Sequence, residues 1–367
     1  MLENWLKPIS PDLLKGEELA DFQFGKRMQL FRKTMPELKE TQLAIVGIGE
    51  SEANAVRKAL YRMAFPFEGL VVADLGNVRK EDPAFFIPLI RELLSGQIFP
   101  IIIGRNPGQA IAQYKAFQEV QRLVSLLVID ERIPLDEQLV EGTENFLTEV
   151  VHAKRSALFH LSLLGVQTHF VPPAVLDFIE QSSFECIRLG KAKADLTEVE
   201  PVVRDCDMLC FNLAALKQAE APGQERPSPS GFSTEEACQI AYYAGMSDKL
   251  KSFGIYGFRH EADRDRQTAQ VVAQMAWYLI SGFFNRKNDY PVSTEGLLEY
   301  MVDFKDHHTP ITFWKSAKSG RWWVQAPVKS NKKYQRHRLI PCSYNDYRLA
   351  CQEELPDRLV EAFRRFS

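Results

Sequence analysis

The sequence predicts an α/β fold built on a mostly parallel sheet, and three observations carry that reading. Eight short apolar runs recur along the chain, most of them ending in a glycine or a polar cluster. Several runs are continuous rather than alternating, as expected of parallel strands covered on both faces. Helical patterns lie between them, and strand–helix alternation implies crossovers joining neighbouring parallel strands.

In chain order the expected strands are residues 43–48, 70–74, 99–103, 123–130, 158–164, 185–189, 207–213 and 253–258. A helix is expected over 109–123, where Ala110, Tyr114, Phe117 and Val120 share one face. Ser233 and Glu236 make a capping box that opens a helix running to about Tyr243. Another helix covers about 264–284. From about residue 290 the texture changes. Residues 295–302 read as a short helix. Segments 311–314 and 321–324 are β-prone and flank Ser316-Ala317-Lys318-Ser319-Gly320, which predicts a hairpin with a glycine-containing loop. Residues 329–338 are basic and read as a loop, and a last amphipathic helix is expected over about 356–366. The chain thus divides into an α/β domain, 1–289, and a C-terminal extension, 290–367.

The chain's 367 residues suit about two domains, or one large domain with an appendage. A composition 45% hydrophobic and 25% charged excludes wholesale disorder and collagen-like structure. Acidic residues number 48 and basic ones 45, so nothing global pulls the chain to nucleic acid or an anionic membrane. The longest apolar runs, such as 126–129, fall far short of the roughly 18 residues of a membrane span. The first ten residues lack a basic stretch followed by an apolar one, so no signal peptide is expected. Cys186, Cys206, Cys210, Cys238, Cys342 and Cys351 form no C-x-x-C pair. A reduced, cytoplasmic protein is the expectation.

In open α/β sheets ligands sit at the carboxyl ends of the strands. The polar segments there are Gly47-Ile48-Gly49-Glu50, Asp74-Leu75-Gly76-Asn77, Gly104-Arg105-Asn106-Pro107-Gly108, Asp130-Glu131-Arg132, Asn212 and Arg259-His260-Glu261. Glu52 stands where a dinucleotide fingerprint needs its third glycine. The sequence holds no P-loop, no G-x-S-x-G elbow and no pair of histidines at H-x-x-x-H spacing.

Ala221-Pro222-Gly223, Pro229-Ser230-Gly231, Glu235-Glu236-Ala237 and Ile240-Ala241-Tyr242-Tyr243-Ala244-Gly245 resemble, in this order, segments of the ureohydrolase superfamily of arginase, agmatinase and formiminoglutamase. Leu164-Gly165-Val166-Gln167 and Gly254-Ile255-Tyr256, followed by Asp263 and Gln267-Thr268-Ala269, look like further family segments. The resemblance spans about 40–288 and is closest to formiminoglutamase-like members. It implies a three-layer α/β/α, arginase-like fold with about eight strands. In working members it implies hydrolysis of a linear amidine C–N bond with two bridged manganese ions. Such ions call for carboxylate oxygens and imidazole nitrogens, and their bridging water attacks as hydroxide.

The resemblance also implies where those ligands should be. The family's G-G-D-H-S falls on Gly104–Gly108, where Pro107 replaces the histidine and Asn106 the aspartate. D-A-H-x-D falls on residues 130–134, which keep Asp130 but carry Arg132 and Pro134. S-x-D-x-D falls on residues 210–214, where Asn212 and Ala214 replace both aspartates. The glutamate often found after the last strand matches Gly257 or a neighbour. Only Asp130 survives, and one carboxylate cannot hold two Mn²⁺ ions. No metal, cofactor or catalytic residue is therefore expected.

Plainer readings stand beside these. Asp130 is either a ligand contact or a strand-end carboxylate paired with Arg132 or another base. Residues 104–108 are either a turn or an anion site using Arg105 and a helix N-terminus. Arg259-His260-Glu261 is a solvated loop or a catalytic pair. His307 and His308, being adjacent, point in different directions on regular structure, and His152, His160, His169 and His337 are scattered. In the extension, Trp314, Trp322, Trp323 and Tyr334 interleave with Lys315, Lys318, Lys329, Lys332, Lys333, Arg336 and Arg338. Aromatics beside cations can stack nucleic-acid bases, but the acidic remainder of the chain disfavours that partner. Packing onto the main domain or a protein interface is expected instead, with Trp322 and Trp323 on opposite sides of a strand.

The function expected is that of a catalytically inactive binding, regulatory or assembly protein. A protein partner or self-association is expected, a small-molecule ligand is open, and no membrane is involved. The alternative is a formiminoglutamase- or agmatinase-type C–N hydrolase with a rebuilt or metal-free site, drawing on Asp130, Arg132, Asn212, Lys217, Glu220 and His260.

Overall fold

The computed structural model describes residues 2–16, 18–121, 123–136, 145–153, 156–303, 310–326 and 336–366. Its large sheet contains β1 (Leu6–Lys7), β2 (Gln29–Leu30), β3 (Leu43–Gly47), β4 (Val72–Val78), β5 (Phe99–Ile103), β6 (Val124–Ile129), β7 (Leu158–Val166), β8 (Glu185–Arg188), β9 (Met208–Asn212) and β10 (Ser252–Tyr256). The order is β1-β4-β3-β5-β10-β9-β6-β7-β8, with β2 beside β4. Every expected run is a strand, and these eight pair in parallel. The sheet has ten strands rather than about eight. The two extra strands are two-residue edges on β4, Leu6 opposite Val78 and Gln29 opposite Ala73. Segments that short carry no periodicity to read.

Alternate residues of one strand enter different clusters, which is why the runs are continuously apolar. Ile45 packs with Val56, Leu60, Ile240 and Val272 from the helices Glu50–Leu60, Thr234–Met246 and Gln267–Phe284. Its neighbours Ala44 and Val46 pack with Phe86, Leu89, Tyr114 and Phe117 from the helices Pro83–Ser95 and Ala110–Val120 on the other face. Three layers result, with two cores separated by the sheet. The Ser233 box forms as expected: Ser233 N donates to Glu236 Oε2 at 2.7 Å, and Ser233 Oγ accepts from Glu236 N at 3.3 Å. The helices Thr234–Met246 and Gln267–Phe284 cross at paired glycines. A Cβ on Gly245 would sit 2.1 Å from Leu279 O, and one on Gly282 would sit 2.2 Å from Tyr242 O.

The extension builds its own antiparallel sheet, β11 (Leu297–Val302), β12 (Ile311–Ser316), β13 (Trp322–Gln325) and β14 (Leu339–Cys342), in that order. The expected hairpin is β12–β13. The expected helix over 295–302 is strand β11 instead. It pairs along its whole length with β12, from Leu297 opposite Ser316 to Val302 opposite Ile311. Cross-strand pairing overrides the local helical reading. The last helix is Asp357–Arg364, and a second, Tyr344–Cys351, precedes it. His307, His308 and residues 329–335 of the basic loop, with Lys329, Lys332, Lys333 and Tyr334, lie outside the described residues. Among the described residues no helix is long and apolar enough to cross a membrane.

Charged groups buried at the amino ends of β6, β7, β8, β9 and β10 hold the extension to the main domain. Arg336 Nη2 meets Asp207 Oδ1 at 3.0 Å, while Ser125 N donates to Asp207 Oδ2 at 2.9 Å. Asp205 takes Lys249 Nζ at 2.8 Å and also Arg365 from the last turn of the chain. Lys249 Nζ lies 3.3 Å from His337 Nδ1. Arg204 Nη2 donates to the carbonyls of Trp322 and Cys342 at 3.1 and 3.3 Å, and its guanidinium lies 4.5 Å from the Trp323 ring centre. Trp322 and Trp323 do face opposite sides, yet both are buried. Trp322 stacks on Tyr347 at 4.6 Å, and Trp323 fills the seam with Tyr290 and Leu339. Trp314 is half-buried, its Nε1 donating to Gln325 Oε1 at 3.1 Å.

Candidate functional site

The carboxyl edge of the large sheet is where this topology places a ligand. Strands β6 and β9 are neighbours with Ile129 opposite Phe211, so the next residues, Asp130 and Asn212, come side by side. Asn212 Nδ2 donates to Asp130 Oδ2 at 2.6 Å. Asn212 Oδ1 accepts from Ala214 N at 3.1 Å, capping a short turn over Leu213–Ala215. Gly257 follows β10 on the other side of Asn212, at a φ of 84°. A Cβ there would sit 2.3 Å from Asn212 Oδ1. A side chain where the resemblance implies glutamate would collide with the amide in its present place.

The second oxygen of Asp130 is committed as well. Its Oδ1 accepts from Arg132 N at 3.1 Å and from Arg226 Nη2 at 2.8 Å. Arg226 Nε donates to Glu131 Oε1 at 3.2 Å, so one guanidinium spans two adjacent, buried carboxylates. Burial pushes the Glu131 carboxyl up, and Arg226 holds it part of the way back. Glu131 Oε2 has no hydrogen-bond partner among the described residues. Arg132 stands at the margin of this space, with its Nε 3.5 Å from Glu131 Oε1. Its side chain is half-exposed, and its guanidinium lies 5.0 Å from the Phe170 ring centre.

The remaining sequence candidates are committed to local structure. Arg105 pairs with Glu52 at 3.3 Å and with Glu261. Asn106 Oδ1 accepts from Gly108 N at 2.8 Å, Gln109 Oε1 accepts from Asn106 N at 3.3 Å, and Pro107 opens the turn, so residues 104–108 are a capped helix start. Arg259 pairs with Glu225 at 2.5 Å, and His260 is exposed in a short turn. Glu220 Oε2 accepts from Thr234 Oγ1 at 2.6 Å, which braces a helix start. Lys217 is half-buried, with its N–H on Phe232 O at 3.0 Å. Pro134 and Ala214 are buried. The structure therefore brings together Asp130, Asn212, the backbone of Arg132 and Ala214, while Lys217, Glu220 and His260 are held elsewhere. Sequence reasoning missed Arg226 and gave Glu131 no role beyond its place in the Asp130-Glu131-Arg132 segment. Arg226 lies 96 positions from Asp130 in a proline-rich loop, where only the charged pair Glu225-Arg226 stands out.

This donor set does not fit two manganese ions. Asp130 and Glu131 share a guanidinium, Asn212 offers one amide, and the other positions carry Asn106, Pro107, Arg132, Pro134, Ala214 and Gly257. Among the described residues no group of three or more His, Cys, Asp or Glu is placed to hold a metal ion.

No protein-family model and no curated protein sequence matches the chain. Solved structures do. The formiminoglutamase of Trypanosoma cruzi with Mn²⁺ is similar at a TM-score of 0.60 and 15% identity, over 69% of this chain and 97% of that one. The formimidoylglutamase of Bacillus subtilis is similar at 0.63 and 16%, over 74% and 95%. The arginase of Bacillus cereus is similar at 0.55 and 14%, over 65% and 98%. The chain shares the fold of these formiminoglutamases and this arginase, as the sequence resemblance implied.

Proposed function

We propose that this chain is a non-catalytic binding, regulatory or assembly protein on a ureohydrolase scaffold, with an ion-pair network in place of the dimetal centre. The observation that carries this reading is Arg226, whose guanidinium donates to both Asp130 and Glu131. At about 4 Å and an effective dielectric near 20, a divalent cation and a guanidinium repel by about 8 kcal/mol. The surviving carboxylate is thus matched to a cation the chain supplies itself. A reducing, cytoplasmic setting agrees with six free cysteines, four of them buried.

The alternative is a hydrolase with a rebuilt site. Its support is Glu131, whose raised carboxyl and unpartnered Oε2 could hold a proton. A turnover screen with formiminoglutamate, agmatine, arginine and guanidino acids separates the two. The proposal expects no urea, formamide or ammonia above a no-protein blank. Product release abolished by Glu131→Gln or Asp130→Asn would establish the alternative.

A further inference from the structure

A cavity of about 870 Å³ is lined by described residues of the extension alone, one of which, Arg336, pairs with Asp207 of the main domain at the amino edge of the large sheet. Its floor is apolar, made by Tyr290, Leu297, Trp314 and Leu339, and its rim carries Arg336 and Arg338. No carboxylate is among the described lining residues. The two arginines differ. Arg336 is tied to Asp207 and to Gln121 Oε1, at 3.0 and 2.7 Å. Arg338 is exposed, and its side chain reaches Gln325 Oε1 at 3.4 Å. That same oxygen accepts from Trp314 Nε1 at 3.1 Å. Gln325 therefore orients a ring and a guanidinium together. Tyr290 Oη accepts from the backbone N–H groups of Arg338 and Leu339 at 3.1 and 3.4 Å, which fixes the strand start carrying the arginine.

We propose that this cavity binds a planar aromatic molecule bearing an anionic carboxylate or phosphate. The ring lies against Trp314, and the anion is held by Arg338, with the Ser293 and Thr294 hydroxyls as further donors. An aromatic wall supplies stacking area, and a guanidinium forms charge-assisted hydrogen bonds with either anion. The volume lies within the roughly 300–1,000 Å³ of small-molecule sites. This inference deepens the binding-protein reading and moves its ligand away from the old metal edge.

Calorimetric titration of the full chain tests it, using adenosine monophosphate and benzoate as anionic probes, with adenosine and benzamide as neutral counterparts. Saturable binding of at least one anion, stronger than that of its neutral counterpart, is expected. Response to adenosine monophosphate alone points to a phosphate ligand, and response to benzoate alone to a carboxylate. Arg338→Ala, at an exposed position, should weaken binding about ten- to a hundredfold. Trp314→Leu should also weaken it. Gln325→Leu should lower affinity while circular dichroism stays unchanged. Arg91→Ala, on the surface pair with Glu119, should bind as the parent does. Equal binding of the neutral counterparts, indifference to Arg338→Ala, or no saturable binding overturns the proposal. Metal content and turnover are read separately, so failure here leaves the non-catalytic reading to stand or fall by itself.

Discussion

The carboxyl and amino edges of the large sheet are both closed by ion pairs, but of different kinds. At the carboxyl edge the bases Arg226, Arg105 and Arg259 come from loops of the main domain, with side chains 32%, 37% and 35% exposed. At the amino edge Lys249 and Arg365, both on Asp205, are 4% and 5% exposed, Arg336 on Asp207 is 31% exposed, and Arg336 and Arg365 belong to the extension. The first set neutralises acids within the main domain. The second welds a second structural unit to the first. A partly exposed pair is screened by water and contributes little, whereas a buried one leaves an uncompensated charge when it is broken. The two edges should therefore respond very differently to the same kind of substitution.

The largest effect is expected from Asp205→Ala, which strips Lys249 and Arg365 of their shared partner. A loss of about 3–5 kcal/mol in urea-unfolding free energy is expected. A loss as small as that of a surface pair would erase the contrast between the edges.

Acid should act on the same edge. Burial, then Arg365, holds His160 down at about 4, and burial, then Lys249, holds His337 down at about 3. Burial would raise Glu185, but His160 and Arg365, each 3.8 Å away, outweigh it and bring it to about 2. Unfolding frees both imidazoles to bind protons below about 6.5. Stability should thus fall as the pH drops from about 6.5 toward 3, and Glu185 adds its own loss below about 4.5. Glu131 has the opposite sign: its raised carboxyl takes up its proton earlier in the folded state, which favours folding as the pH falls. Urea midpoints of His160→Gln against the parent, measured from pH 7 to 4, should show a flatter decline in the variant. Identical declines would exclude this imidazole as a source of the acid response.

Arg226→Ala should cost less, about 1–2 kcal/mol, because water reaches the Arg226 side chain and Asp130 keeps its bonds from Asn212 Nδ2 and Arg132 N. A cost matching that of Asp205→Ala would show the carboxyl edge to be as dry as the amino edge. The smallest effect is expected from Ser233→Ala, which removes a helix cap for about 1 kcal/mol and takes no charged group from either edge.

The sequence made the large sheet legible because strands covered on both faces leave continuous apolar runs such as Ile101-Ile102-Ile103. It hid β1 and β2, which exist only by pairing with β4. It misled at β11, where Leu297 to Val302 suits a helix until β12 is alongside. At the carboxyl edge the motif spacing placed Asp130 and Asn212 at adjacent strand ends, and the register brings them together. The cation on Asp130 was not readable, because Arg226 arrives from an irregular loop whose path only the tertiary fold sets. The seam was equally hidden: His160, Asp205 and Lys249 are scattered through the main domain, and Arg365 reaches Asp205 only when the extension docks.

The most direct test of the account is the manganese content of full-length protein purified from Mn²⁺-supplemented medium and measured by mass spectrometry. The account predicts far less than one ion per chain, with no Mn²⁺-dependent rise in melting temperature. Two manganese ions per chain would contradict it.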